Sequence, residues 1–476
     1  MNSWSSTSIQ PGRPPIRIGA LVVPLLLGGG VAAIGLMVPR GSVGMALIGV
    51  LISLTMIYPI LGVAGLLITA PVYLLISPWI PKGLPFSFLL LVLTLVGLLV
   101  RRVLEPRRPA FRWHWVDIGA ALLLVNGIVY IPMASTLKAG VYGYHEALRL
   151  FLIYFVIRLL NPGPDACRRV LWSTAIVVFG VTAYGIIQSF IGYEWVMVHY
   201  GITESLRDYA GFQKAGVRRA YSVLGSPLSL GMMGMIAAFA GLALLLAGRR
   251  LDRARLLAPF LLAAGVGASA LSYTRSSWIG IGAGLLAGIV AVAKGGTRLA
   301  LILLPVAAAL LAFQLMPDLT ERIGKYALTI ASQDPTETSF HYVALVEAAR
   351  FFQGNPFGVG LGASSFSGLN YGTGIQMWTE NTYFLIGIQT GIQGLVALLI
   401  FMVASARLGL RLHSSGETER DRQLGAMIVM AMAGFSIGGM AHPTLLDVSS
   451  MAPVWCLIGL AVNRRQELDL DSTRSR

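Results

Sequence analysis

Long apolar runs without charged residues recur along the whole 476-residue chain, and they limit its possible folds more than any other feature. A helix of about 20 apolar residues crosses the roughly 30 Å hydrocarbon core of a bilayer. The chain is 55% hydrophobic and 12% charged, whereas soluble domains carry about 25% charged residues. We therefore predict an all-α, polytopic integral membrane protein in which residues 1–476 form a single membrane domain.

The apolar runs predict about fourteen transmembrane helices. Their predicted positions are 18–38, 43–57, 60–79, 84–100, 116–136, 145–161, 169–191, 224–247, 256–273, 276–293, 299–316, 381–405, 423–442 and 449–463. The first residues are polar and include prolines, and we predict that they form a short cytoplasmic tail. Cys167 and Cys456 have neither a metal-site spacing nor a position that favours a disulfide.

The distribution of basic residues predicts the orientation of these helices. With both termini in the cytoplasm, most of the 36 Lys and Arg residues fall in inside segments, as the positive-inside rule requires. This orientation places two loops outside, a second outside loop at 192–223 and a long extracytoplasmic loop at 317–380 that carries short amphipathic helices. The excess of basic residues therefore reflects membrane topology, and we do not expect nucleic acid as a partner.

Several arginines depart from that rule, because they lie in the outside loops or at the outer ends of spans. Arg218 and Arg219 begin the stretch "RRAYSVLGSPLSLG", and Arg275 is at the centre of the tight turn "LSYTRSSWIGIGAG". An anionic ligand at the outer leaflet accounts for such arginines. The alternative is that they are interfacial arginines that reach the lipid headgroups.

Residues 338–353 predict a short helix that lies along the membrane surface and carries His341. The stretch "GNPFGVGLGASSF" follows it, with glycines at 358, 360 and 362. No strand precedes these glycines, which argues against a dinucleotide fingerprint. We expect them to form a tight turn whose backbone amides point at a ligand.

Three further groups of ionisable residues lie near the predicted outer surface. Glu380 opens the helix "TENTYFLIGIQTGIQG", either as a helix-capping carboxylate or as a base that faces a basic pocket. Arg149 lies near the start of the sixth span, paired with Glu146 or in contact with a phosphate. His442 and Asp447 flank another outside turn, as interfacial residues or as a second acid–base pair.

The order and outside location of these motifs resemble the O-antigen ligase and Wzy-type polysaccharide polymerase superfamily. The resemblance covers Arg219 before a Gly-x-Pro turn, Arg275 in its short turn, "NPFGVGLG", and the "NTYF" helix. It extends over roughly residues 200–400. The ligases open that helix with a histidine where this chain has Glu380, and the family often has an arginine near His341. The glutamate favours a polymerase over a lipopolysaccharide ligase.

The resemblance implies a membrane glycosyltransferase of the bacterial cytoplasmic (inner) membrane whose active site faces the periplasm. It would transfer a glycan from an undecaprenyl-diphosphate-linked donor to an acceptor sugar hydroxyl, and so polymerise the repeat units of a surface polysaccharide. Glu380 and His341 would be catalytic, and Arg149, Arg218, Arg219 and Arg275 would bind the diphosphate. No metal and no cofactor are expected. The expected partners are the lipid-linked glycan, an acceptor glycan, the lipid bilayer and a chain-length regulator.

Two alternatives remain open at the level of the sequence. One is a ligase that joins a finished glycan to lipid A-core or to another acceptor. The other is a lipid-linked oligosaccharide flippase or another transporter, for which interrupted helices, inverted repeats and mid-span charges are typical. The unusual charges here lie at the outer ends of spans, which favours glycan transfer.

Overall fold

The computed structural model describes residues 54–72, 86–104, 111–192, 213–214, 217–247, 253–291, 338–373, 377, 379–444 and 447–474. Several predictions concern other parts of the chain and lie outside the described residues. These are the spans 18–38 and 299–316, most of 43–57, residues 193–212 of the second outside loop and residues 317–337 of the long loop.

Apart from one short hairpin, the described elements are helical. The hairpin pairs β1 (Gln213–Lys214) antiparallel with β2 (Val217–Arg218), and a 3-10 helix follows at Ser222–Leu224. The α-helices are α1 (Pro59–Thr69), α2 (Phe86–Leu104), α3 (Trp115–Tyr130), α4 (Leu137–Leu160), α5 (Pro164–Ile191), α6 (Pro227–Ala247), α7 (Arg253–Leu271), α8 (Arg275–Ala291), α9 (Thr338–Gly354), α10 (Phe366–Tyr371), α11 (Thr382–Ser415), α12 (Glu419–Gly438) and α13 (Val448–Arg474).

The chain divides into two compact units. The first comprises Met1–Gly65 and Trp79–Ala110, and the second comprises Leu66–Pro78 and Phe111–Arg476. In the first unit, the Arg101 guanidinium donates a hydrogen bond to the backbone carbonyl of Ile57. The second unit contains α3 to α13. The single membrane domain expected for the whole chain stays a prediction.

Within the second unit, α6 packs closely against α7, and α8 and α11 pack against α12. Small residues permit this proximity, as is usual between membrane helices. A Cβ atom on Gly234 of α6 would lie 2.5 Å from the Gly265 carbonyl oxygen of α7, and one on Gly265 would lie 2.4 Å from the Ala238 nitrogen. Either substitution would therefore force the two helices apart.

The prediction of a helical membrane protein is confirmed in its general form. Each predicted span from 60–79 to 276–293, and each of the last three, overlaps a described helix, although residues 73–79 lie outside the described part of the chain. Among the described residues, three helices are long and apolar enough to cross a membrane: Asp165–Ile191, Pro227–Leu246 and Thr382–Ser415. The total of about fourteen spans and the long outside loop stay predictions.

Large apolar side chains on helix surfaces support burial in lipid. Val125, Ile128 and Val129 of α3 are exposed, as are Leu286 and Val290 of α8. Exposed apolar patches are rare on soluble monomers and mark surfaces that contact other apolar material. A lipid bilayer would cover these side chains.

Buried ionic contacts join helix ends at what we call the inner end of the second unit. Arg158 of α4 donates to both carboxylate oxygens of Asp117 of α3, over 2.8 and 3.0 Å, and its side chain is only 2% exposed. Arg158 also donates to the Asn463 side chain of α13. At the same end, Arg464 of α13 binds Asp421, in the first turn of α12, at 2.9 Å. These residues fall at or beside segments that the sequence places inside.

Candidate functional site

The opposite end, which we call the outer end, holds the N-terminus of α11, the turn between α12 and α13 and the segment before α6. Arg219 lies in that segment and is 6% exposed. Its Nε donates to the Ser272 carbonyl oxygen at 2.8 Å, and its Nη2 donates to Thr274 Oγ1 at 3.1 Å. These bonds fix the orientation of the guanidinium.

The backbone around Arg219 is held as firmly as the side chain. Ala220 donates to the Leu271 carbonyl at 2.9 Å. The Gln188 side chain, near the end of α5, accepts hydrogen bonds from the backbone of Tyr221 and of Ser222 at 3.1 and 2.8 Å. Two helices and a turn therefore determine the position of Arg219, since α5, α7 and the turn before α8 all contact this segment.

Arg275 begins α8 directly after the turn that binds Arg219. Thr274 donates to the Pro227 carbonyl at the start of α6, at 3.0 Å, and thereby ties this turn to a third helix. Arg275 itself is half-buried. The structure therefore brings Arg219 and the turn of Arg275 together, although they are far apart in the sequence.

The structure corrects the capping role that was one interpretation of Glu380. Asn381 is the N-cap of α11, because its side-chain oxygen accepts from the backbone of Tyr383 and of Phe384 at 2.9 and 3.0 Å. Glu380 lies one residue before that cap. Its side chain is half-buried.

The turn between α12 and α13 is bonded to the start of α11. Thr382 donates its backbone N–H to the Gly439 carbonyl and its hydroxyl to the His442 carbonyl, both at 2.8 Å. Asn381 donates to the Met440 carbonyl, also at 2.8 Å. This network holds the turn that carries His442 next to Asn381, the residue that follows Glu380.

His442 connects the charged residues of the outer end. It is 7% exposed, and its imidazole interacts electrostatically with Asp447, Glu380 and Arg219. His442 lies in the turn, outside both helices, where burial lowers the pKa of its imidazole. The two carboxylates oppose that shift and Arg219 adds to it. The resulting neutral ring can either donate or accept a hydrogen bond.

Arg149 joins the same group of charges. It lies further along its helix than the sequence suggested, because α4 already begins at Leu137, where the Thr136 hydroxyl caps it. The acidic charges that act on Arg149 are those of Asp447 and Glu146. We refer to Arg149, Arg219, Glu380, His442 and Asp447 together as the outer cluster.

The glycine-rich segment differs from its prediction. Gly358, Gly360 and Gly362 have φ angles of 80°, 107° and 88°, which only glycine adopts readily. Their amides bind protein groups, however. Gly360 donates to the Gln389 carbonyl at 3.2 Å, and Gly362 donates to the Gln389 side chain at 2.9 Å. The prediction that these amides point at a ligand is therefore wrong.

The segment instead fills a break in α11. Gly391 has φ 73° and ψ −177°, which interrupts the helix. Val359 donates to the Ile388 carbonyl at 2.9 Å, and Ile392 donates to the Pro356 carbonyl at 2.8 Å. Non-helical backbone at membrane depth must be satisfied by protein or water. Here the glycine-rich segment supplies the hydrogen bonds that the broken helix has lost.

A cavity of about 280 Å³ lies beside the same segment. Met133, Ser135, Phe351, Asn355, Val359, Ala363 and Gly368 line it. These lining residues carry no charge, so the cavity differs in chemistry from the outer cluster.

Two predicted site residues have side chains that lie outside the described part of the structure. The backbone of Arg218 pairs with Gln213 in the hairpin, and His341 belongs to α9. Phe352 of α9 packs against Phe384 of α11, with ring centroids 6.3 Å apart. The helix that carries His341 therefore contacts the first turns of the helix that follows Glu380.

The sequence alone underestimated His442 and Asp447. Their short separation around "PTLL" was visible, but their proximity to Glu380 and Arg219 depends on long-range contacts, such as the bond from Thr382 to His442 across 60 positions. The outer cluster combines fixed guanidinium groups with carboxylates and an imidazole. Such a set can bind a phosphate and also move a proton. No protein-family model matches the sequence, and no curated protein matches it.

Proposed function

We propose that this protein is a membrane glycosyltransferase of the O-antigen ligase and Wzy-type polymerase kind. It transfers a glycan from an undecaprenyl-diphosphate-linked donor to a sugar hydroxyl at the outer leaflet of a bacterial inner membrane. The observation that carries the proposal is the outer cluster, in which the buried His442 interacts with the buried Arg219 and the half-buried Glu380 at one end of a helical bundle.

The arginines suit a diphosphate leaving group. A guanidinium matches phosphate oxygens with two parallel hydrogen bonds and stabilises the charge that grows as the glycosyl–phosphate bond breaks. Arg219 is held by Ser272 and Thr274, so little reorganisation is needed when the charge develops. In the proposal, Arg275, Arg218 and Arg149 bind the same diphosphate.

Glu380 suits the role of general base. The acceptor hydroxyl gives its proton to the carboxylate while its oxygen bonds to the anomeric carbon, and the lipid diphosphate leaves with the electrons of the broken bond. The structure supports this role because Asn381 takes over the capping of α11. His341 is the second candidate for the base.

The favoured reaction is polymerisation of lipid-linked repeat units, with a chain-length regulator as protein partner. A ligase would use the same donor chemistry with a different acceptor. Among the described residues, the interruption of α11 at Gly391 is a feature that favours a transporter. Protein backbone from the glycine-rich segment fills that break, whereas a transporter would use it to bind substrate.

The test uses a deletion strain complemented with variants, in which polymer and lipid-linked single repeats are separated on gels. We expect Glu380→Gln to reduce polymer formation by about 10²–10⁴-fold, the usual contribution of a general base, while single repeats accumulate. Glu347→Gln is the matched control, because Glu347 is an exposed glutamate of α9. Equal polymer from both variants would remove Glu380 from the mechanism.

A binding measurement on purified protein tests the arginines separately. Arg219→Ala should weaken binding of undecaprenyl diphosphate. Arg219→Lys should bind it more tightly than the alanine variant but less tightly than the wild type, because lysine keeps the charge but cannot make the two parallel hydrogen bonds of a guanidinium. Glu380→Gln should bind as the wild type does. If the wild-type protein moves lipid-linked glycan across vesicles without forming a glycosidic bond, it is a transporter.

A further inference from the structure

His442 has a property that the proposed reaction does not yet use. Its side chain is more than nine-tenths buried. Within the described residues, its Nε2 atom has no hydrogen-bond partner. Most buried polar atoms in native proteins are paired, and an exception requires an explanation such as a bound ligand or water, strain or a catalytic role.

The position of this nitrogen is fixed by the backbone. The His442 carbonyl accepts the Thr382 hydroxyl at 2.8 Å, and the Thr444 backbone N–H donates back to that hydroxyl at 2.9 Å. Thr382 and Thr444 are both buried. An unpartnered nitrogen in a region of such dense bonding is therefore not explained by a loose turn.

The surrounding charges indicate which ligand group the nitrogen takes. Asp447 and Glu380 both act on His442, against the single positive charge of Arg219. Two carboxylates disfavour a phosphate at this nitrogen, whereas a neutral hydroxyl is compatible with them. A neutral imidazole N–H also suits a sugar hydroxyl, since it adds no charge to the pocket.

We infer that His442 binds the acceptor sugar, donating from Nε2 to the oxygen of the attacking hydroxyl while the proton of that hydroxyl points at Glu380. The inference rests on the proposed glycan transfer and names the residue that positions the acceptor. His442 keeps its own proton throughout. The hydroxyl proton passes to the carboxylate, and the oxygen lone pair forms the new glycosidic bond.

The experiment separates the acceptor from the donor. The repeat-unit oligosaccharide released from its lipid by mild acid has no diphosphate, so it acts only as an acceptor. With purified protein and a lipid-linked donor, we expect His442→Ala to raise KM for this free oligosaccharide at least about tenfold. Affinity for undecaprenyl diphosphate should stay within about twofold, which also shows that the variant is folded.

Two further variants sharpen the result. His442→Gln keeps a side-chain N–H and should give a KM between those of the wild type and the alanine variant; it carries the test if the alanine variant does not fold. His413→Ala is the matched control, because His413 lies near the C-terminus of α11, where its Nδ1 is 3.1 Å from the Arg422 carbonyl oxygen.

Three outcomes oppose the inference. An unchanged acceptor KM in both His442 variants overturns it while glycan transfer stands. Loss of undecaprenyl diphosphate affinity with an unchanged acceptor KM assigns His442 to the donor and overturns it as well. A wild-type protein that transfers no glycan overturns both this inference and the proposed function.

Discussion

Replacing Arg158 with methionine should destabilise the protein far more than replacing a surface arginine. Arg158 donates to both carboxylate oxygens of Asp117, and the two side chains are 2% and 0% exposed. Without the guanidinium, the hydrogen bonds that Asp117 keeps from the described residues are those of the Tyr154 hydroxyl at 2.6 Å and the His114 backbone N–H at 2.7 Å. Breaking one partner of a buried ion pair costs about 3–5 kcal/mol.

Arg168→Met is the matched control. Arg168 approaches Asp165 at 3.8 Å, and these side chains are 56% and 84% exposed. Such surface pairs contribute about 0–1 kcal/mol. Unfolding of the purified variants by sodium dodecyl sulfate in mixed micelles, followed by circular dichroism, measures the difference.

The double variant Asp117→Asn with Arg158→Met removes the uncompensated charge and should recover part of the loss. The reasoning is refuted if Arg158→Met costs no more than Arg168→Met, because the pair would then be solvated despite its burial.

Three other results are expected. A cysteine introduced at Ser367 should react with a membrane-impermeant maleimide in intact cells, and protection there would place the active site on the wrong side for a lipid-linked donor. Gly358→Val should destabilise the protein, because Gly358 has a φ of +80° and a Cβ there would lie 2.5 Å from the Gly391 nitrogen. The control Gly282→Ala should be tolerated, because a Cβ at Gly282 meets nothing within 4 Å. Equal thermal stability of the two variants would contradict the packing of the glycine-rich segment. Burial raises the pKa of Asp421, but hydrogen bonds from Arg464 and Thr418 outweigh it and hold the pKa below its ordinary value. The stabilisation that ionised Asp421 gives to the folded protein is therefore complete above the ordinary carboxyl pKa of about 3.9 and is lost as pH falls through the lowered value. Asp421→Asn should make the free energy of unfolding less dependent on acid pH. An unchanged pH profile of unfolding would contradict this.

The helices could be predicted because their signal is local. An apolar run of membrane length is visible without any knowledge of its neighbours, and the described helices follow those runs. Their ends were less accurate. The start of α4 depends on the Thr136 cap. The polar end of α13 continues to Arg474, and it contains ion pairs such as Arg465 and Asp469, 2.9 Å apart, which stabilise a helix.

The candidate site could be predicted only in part, because its geometry depends on distant segments. The arginines could be identified because the topology predicted from the sequence places them outside, against the positive-inside rule. The sequence could not show that the glycine-rich segment bonds to the backbone of α11, since this depends on a break at Gly391 about 30 residues later. The importance of His442 likewise depends on the bonds from the start of α11.

The length of α11 indicates how deep the proposed base lies in the membrane. Counted outwards from Arg407, the first basic residue at the inner end of the helix, about 20 residues of continuous helix at 1.5 Å each would reach Gly387 and cover the roughly 30 Å hydrocarbon core. In the proposed orientation, Glu380 then lies about 10 Å further out, and helix tilt reduces this height. In that orientation the carboxylate would lie at the depth of the lipid phosphates. A donor can present its diphosphate there while its polyprenyl tail stays wholly within the bilayer, so the protein need not extract its substrate from the membrane.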